Sequence, residues 1–63
     1  MIKYNVYFED NSLIINGNTF KHLEGSFLNE KNAKLFLKTI SKEHPGCTFF
    51  IAKWDDMKNK FVK

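Results

Sequence analysis

The sequence contains no arginine; all ten of its basic residues are lysine. Arginine is the usual reader of guanine edges and the usual two-pronged grip on phosphate. Its absence argues against sequence-specific DNA recognition, and less strongly against nonspecific binding. A single cysteine, Cys47, rules out an internal disulfide. With His22 and His44 it makes only three soft ligands at unhelpful spacings, so a four-ligand zinc site is not expected. A lone thiol suits a reducing cytoplasm. No apolar run is long enough to span a bilayer, and no secretion-signal pattern opens the chain. The expectation is a cytoplasmic protein without membrane attachment, cofactor or metal. Only one proline and three glycines punctuate the chain, and no linker, repeat or low-complexity tract divides it. Residues 1–63 form one domain.

A domain this small hides only about 60% of its unfolded surface, so its stability is marginal. Disulfides, a metal or association commonly compensate. Here an internal disulfide is impossible and a zinc site is not expected. The remaining sources are association and an aromatic-rich core, and the chain has seven Phe, two Tyr and one Trp.

Charge is unevenly spread. Residues 1–30 carry two Lys against four acids, whereas residues 31–63 carry eight Lys against three. The second half is therefore basic. Lys, Asn, Phe and Ile supply 29 of the 63 residues. All four have AT-rich codons, which points to an AT-rich genome such as that of many bacteria and their phages.

The segment 2–8 alternates, with Ile2, Tyr4, Val6 and Phe8 on one face and Lys3, Asn5 and Tyr7 on the other. This is the pattern of a half-buried strand. Glu9-Asp10-Asn11-Ser12 reads as a turn, and Leu13-Ile14-Ile15 as a short second strand. Asn16-Gly17 is a strong two-residue hairpin signal, because a type I′ turn needs positive φ at both central residues. Thr19 to Leu23 is the returning strand, with Gly25 at its end. Asn29 is a good N-cap, and Glu30 sits favourably at the positive end of a helix dipole. The helix is expected to run to about Glu43 and to stop at His44-Pro45-Gly46, with Gly46 supplying a left-handed exit. Ala33, Phe36, Leu37 and Ile40 share one side of it. Lys31, Lys34, Lys38 and Lys42 share the other, with Leu35 beside them. Residues 47–54 form a strand with apolar groups on both faces: Cys47, Phe49 and Ile51 on one, Phe50, Ala52 and Trp54 on the other. Asp55 to Asn59 is a polar turn, and Lys60-Phe61-Val62 is read as a short edge strand. The expected class is α+β: a mainly antiparallel sheet of three to five strands with one amphipathic helix on one face, in the order β-β-β-α-β-(β).

A strand that is apolar on both faces normally lies between two layers. One helix can cover only one. Tyr7, Phe49, Ile51 and Trp54, with Lys3 and Lys53 at the rim, are therefore the first candidate partner-binding surface, since aromatic anchors with a polar rim characterise protein interfaces. The competing reading is that the 13–23 hairpin folds over this face and buries it. The second candidate is the helix side bearing Leu35, Lys31, Lys34, Lys38 and Lys42; its plain reading is a solvated face. The lysines and aromatics together would also suit single-stranded nucleic acid. His44-Pro45-Gly46-Cys47 contains the residues of a Cys–His nucleophile, but nothing places a base and an orienting group around the thiol. A helix stop followed by a packed thiol is the better reading. Asp55-Asp56 reads as turn chemistry. No phosphate-cradling glycine loop and no hydrolase constellation is present.

The stretch from Phe27 through Asn29, Ala33 to Ile40, His44-Pro45-Gly46 and Thr48 to Ala52 resembles a pattern of small phage and bacterial proteins. In these, an aromatic residue precedes a capped amphipathic helix, a His-Pro-Gly stop and an aromatic strand. Size and style also resemble small accessory proteins of T-even-like phages. That resemblance implies a non-enzymatic protein that binds a host protein and inhibits or redirects it. The partners expected are a host protein surface or a second copy of the chain, with nucleic acid as second choice.

Overall fold

The computed structural model describes residues 1–62. Two long strands come first, β1 (Ile2–Ile15) and β2 (Asn18–Phe27). The helix α1 (Glu30–Glu43) follows, then β3 (Thr48–Asp55) and the two-residue β4 (Lys60–Phe61). The sheet is antiparallel throughout, in the order β2-β1-β3-β4. The architecture is the expected α+β one. The strands expected at 2–8 and 13–15 are, however, one continuous element.

The reason lies at residues 10–14. Asp10 pairs with Phe20 and Ile14 with Thr19, so the intervening residues bulge out of the ladder. The Asp10 carboxylate accepts from the Ser12 amide at 3.0 Å and from its hydroxyl at 2.6 Å. The turn chemistry of this segment is real, but it makes a bulge within a strand, not a chain reversal. The reversal comes at Asn16 (φ 53°) and Gly17 (φ 81°), the two positive values that a type I′ turn requires. Because β2 pairs alongside β1, the hairpin widens the sheet. It does not fold across it, so the reading in which it buries the second face fails.

Gly25 does not end β2. It sits at a second bulge, where Val6 faces Gly25 and Tyr7 faces Leu23, leaving Glu24 extra. A Cβ at Gly25 would come within 3.0 Å of the Phe27 ring and 3.3 Å of the Phe36 ring. The absent side chain lets the helix approach.

Asn29 caps α1 by accepting from the Lys31 amide at 2.8 Å. The helix stops at His44, which still donates its amide to Ile40. His44 has left the helical region (φ −131°, ψ 71°), as a residue before proline should. Gly17 is the one glycine with positive φ among the described residues, so Gly46 does not supply the left-handed exit. Instead the Cys47 amide closes a turn onto the His44 carbonyl at 3.1 Å.

The helix lies on one face of the sheet, giving a slab of 32 × 30 × 15 Å. Among the described residues two apolar ones are wholly enclosed, Val6 on β1 and Ala33 on α1. Phe36, Leu37 and Ile40 flank Ala33 and are half-buried, as are Tyr4, Phe8, Phe49 and Ile51. The Phe27 and Phe36 rings meet at 5.2 Å between β2 and α1. No helix among the described residues is long and apolar enough to cross a membrane.

Candidate interaction surface on the open sheet face

In an antiparallel ladder, directly opposed residues project from the same face. Register therefore decides which aromatics share a side. Phe8 faces Phe49 and Val6 faces Ile51. These pairs lie under the helix, where Phe8, Phe49, Ile40 and His44 surround one hollow. Tyr7 faces Phe50, Asn5 faces Ala52, and Lys3 faces Trp54. This second set lies on the face without a helix.

On that open face four rings form a row. Tyr7 and Phe50 stack with centroids 5.6 Å apart. Phe61 meets Tyr7 edge-on at 6.1 Å and Trp54 edge-on at 4.8 Å. Offset and edge-on geometries of this kind suit the aromatic quadrupole. Phe61 reaches the row because the 55–59 turn returns the chain beside β3. Asp55 accepts from the Met57 and Lys58 amides there, and Asn59 takes a positive φ of 56°. The expected turn role of Asp55 is thus present. Tyr7, Phe50, Ala52, Phe61 and Lys21 line an apolar groove of about 460 Å³.

A short polar chain fixes the centre of this face. Ser26 donates to the Asn5 carbonyl oxygen at 2.7 Å, and the Asn5 amide donates to the Tyr7 hydroxyl at 3.1 Å. Asn5 is the buried polar residue among those described, at 7% exposure. Its hydrogen bonds meet the cost of burial and hold the Tyr7 ring in place.

Charges lie at two corners, and each lysine has an acid beside it. Lys3 is 3.9 Å from Asp56, which also pairs with the Met1 amine at 2.9 Å. That amine holds the Asp56 carboxyl below its usual range. Lys21 faces Glu9 across the ladder. Thr19 bridges them, donating to Glu9 at 2.7 Å and accepting from Lys21 at 3.0 Å. On the covered side of the hairpin, Asp10 pairs with His22 at 3.2 Å. The Ser12 hydroxyl, followed by His22, lowers the Asp10 pKa.

The candidates named from sequence therefore divide into three places. Tyr7 and Trp54 belong to the open row. Phe49 and Ile51 do not; one step of register puts them beneath the helix, and Phe50 takes the place expected for Phe49. Lys53 faces Tyr4 on the covered side, with its ammonium 5.9 Å from the Tyr4 ring centroid. Leu35, Lys31, Lys34, Lys38 and Lys42 are all exposed on the outer side of α1. Lys34 pairs with Glu30 at 3.5 Å. The slab separates this stripe from the aromatic row. Phe50, Ala52, Phe61 and Lys21 were missed from the sequence. The alternation Phe50-Ala52-Trp54 carried the signal for two of them, once Tyr7 is set opposite Phe50. Cys47 is exposed in the turn before β3, not packed within the strand. No group of three or more His, Cys, Asp or Glu side chains gathers among the described residues. Comparison with protein-family models, with curated proteins and with solved structures finds no match to this chain.

Proposed function

We propose that this chain is a non-enzymatic protein-binding module and that the open sheet face is its docking surface. The observation that carries the reading is the row Tyr7–Phe50–Trp54–Phe61, which no element among the described residues covers. Rigid rings, a groove between them and a polar margin are the components of an interface centre. An accessory protein acting on a protein of its host, in the cytoplasm, is the setting that the sequence style suggests.

The nucleic-acid alternative has one feature in its favour: Tyr7, Phe50 and Trp54 lie on the two central strands, where aromatic sheets stack bases. It has a larger one against it. It needs lysines and aromatics on one ligand path, and here the four-lysine stripe lies on the far side of a 15 Å slab. The lysines on the aromatic side, Lys3 and Lys21, each have an acid beside them.

The test is retention from the native cell extract on the immobilised chain, with and without nuclease. The protein reading expects a retained protein that survives nuclease and moderate salt, is lost with Phe61→Lys, and persists with the double change Lys34→Glu and Lys38→Glu. Retention abolished by nuclease, or by the two lysine changes while Phe61→Lys is silent, rejects it. Phosphate contacts release counterions and so fail steeply with salt.

A further inference from the structure

We infer that the occupant of the open face is a second copy of this chain, giving a four-layer helix–sheet–sheet–helix dimer. This rests on the protein-docking reading and names its partner.

Three observations select self-association. The first is area. The whole molecule extends 32 × 30 Å in its two longer directions, enough for a second copy to take the roughly 800 Å² of accessible surface that a standard interface buries on each partner. The second is charge. The chain carries +3 overall, which would oppose pairing if it were spread evenly. The lysine stripe, however, lies on the outer side of α1 and would point away from the contact. The open face balances its charges, with Lys3 beside Asp56 and Lys21 facing Glu9. Lys3 and Glu9 are six residues apart on β1, about 20 Å along the strand. A two-fold axis lying between the sheets, across β1 near its midpoint, brings the Lys3 end of one copy over the Glu9 end of the other. Isologous contacts require this kind of self-complementarity. The third is the core. Val6 and Ala33 are its only fully enclosed apolar residues among those described, and Cys47 has no cysteine partner. Small domains without a disulfide or metal commonly complete their cores by association. Face-to-face packing of two sheets, about 10 Å apart, would enclose Tyr7, Phe50, Trp54 and Phe61.

The test is sedimentation equilibrium of the full chain over a wide concentration range. Three variants are compared with the parent: Leu23→Lys and Phe61→Lys on the open face, and Leu35→Lys on the outer helix face. These side chains are 57%, 51% and 63% exposed in the single chain, so each variant should still fold; far-UV circular dichroism checks this. The parent is expected to be a dimer, with Trp54 fluorescence shielded from acrylamide and becoming accessible on dilution. Leu23→Lys and Phe61→Lys should each raise the dissociation constant at least tenfold, and Leu35→Lys should leave it unchanged. A parent that stays monomeric throughout overturns the proposal, as does a dimer broken by Leu35→Lys but not by the open-face variants. An apolar naphthalenesulfonate dye separates the two levels of inference. A monomer that binds the dye through this face, with Phe61→Lys abolishing binding, rejects the second copy but keeps a docking surface. A monomer that binds no dye, and retains no protein in the extract assay above, rejects both.

Discussion

The covered and open faces of the sheet are cut from the same strands with similar residue types, yet they are finished differently. Under the helix, apolar side chains interleave with Ala33, Phe36, Leu37 and Ile40, and the glycine at position 25 allows close approach. On the open side, Tyr7, Phe50, Trp54 and Phe61 pack against one another sideways, and no element among the described residues lies over them. An alternating apolar pattern on both faces of a strand does not imply two covering layers within the chain. On the second face the rings bury part of their surface against one another instead.

The comparison can be broken by truncating equivalent rings on the two sides. Phe36→Ala removes a ring from between helix and sheet and should cost about 3 kcal/mol. That approaches the whole stability of a domain this size, so chemical denaturation should find the variant largely unfolded. Phe50→Ala, measured at concentrations where the chain is monomeric, should cost about 1 kcal/mol, since its ring packs sideways against Tyr7 and not between two layers. Equal losses would mean that the two faces are not different in kind. Next in size is Gly25→Ala. Its methyl would crowd the Phe27 and Phe36 rings, and overpacking of this sort should cost about 1–2 kcal/mol. The same change at Gly46, where the added carbon meets nothing, should be nearly neutral or slightly stabilising in thermal melts.

The smallest effect concerns acid. Asp10 is held below its ordinary value of 3.8, first by the Ser12 hydroxyl and then by His22. A carboxyl with a lowered folded pKa adds stability above its unfolded pKa and loses it as pH falls through the folded one. The native chain should therefore weaken as pH drops below about 4, and Asp10→Asn should flatten that part of the stability–pH curve. An unchanged curve would remove Asp10 from the account of the hairpin bulge.

Much of the fold was legible because its signals are local. Asn29 announces a helix start, Asn16-Gly17 a hairpin, and the spacing of Ala33, Phe36, Leu37 and Ile40 a single buried stripe. The alternation in 2–8 marked Tyr4, Val6 and Phe8 as the covered side. What could not be read was the register between β1 and β3. Sliding one strand by one residue exchanges its faces, and on β3 both faces are apolar, so burial does not discriminate. Phe49 and Phe50 are adjacent, and chemistry alone cannot say which stands opposite Tyr7. Phe61 was missed as a site residue for another reason: it joins the row through a two-residue strand whose placement depends on the 55–59 turn. Both bulges also escaped. Asp10-Asn11-Ser12 and Glu24-Gly25 carry ordinary turn residues, and turn residues do not say whether a chain reverses or only kinks.

The surplus Glu24 has a bearing on solubility. β2 is an outermost strand ten residues long, and among the described residues no further strand pairs along its outer margin. A straight margin of that length would template ribbon growth from one molecule to the next. The extra residue interrupts the regular spacing of amide and carbonyl groups along the margin, while its side chain lines the hollow beneath the helix. Lateral polymerisation is thereby discouraged.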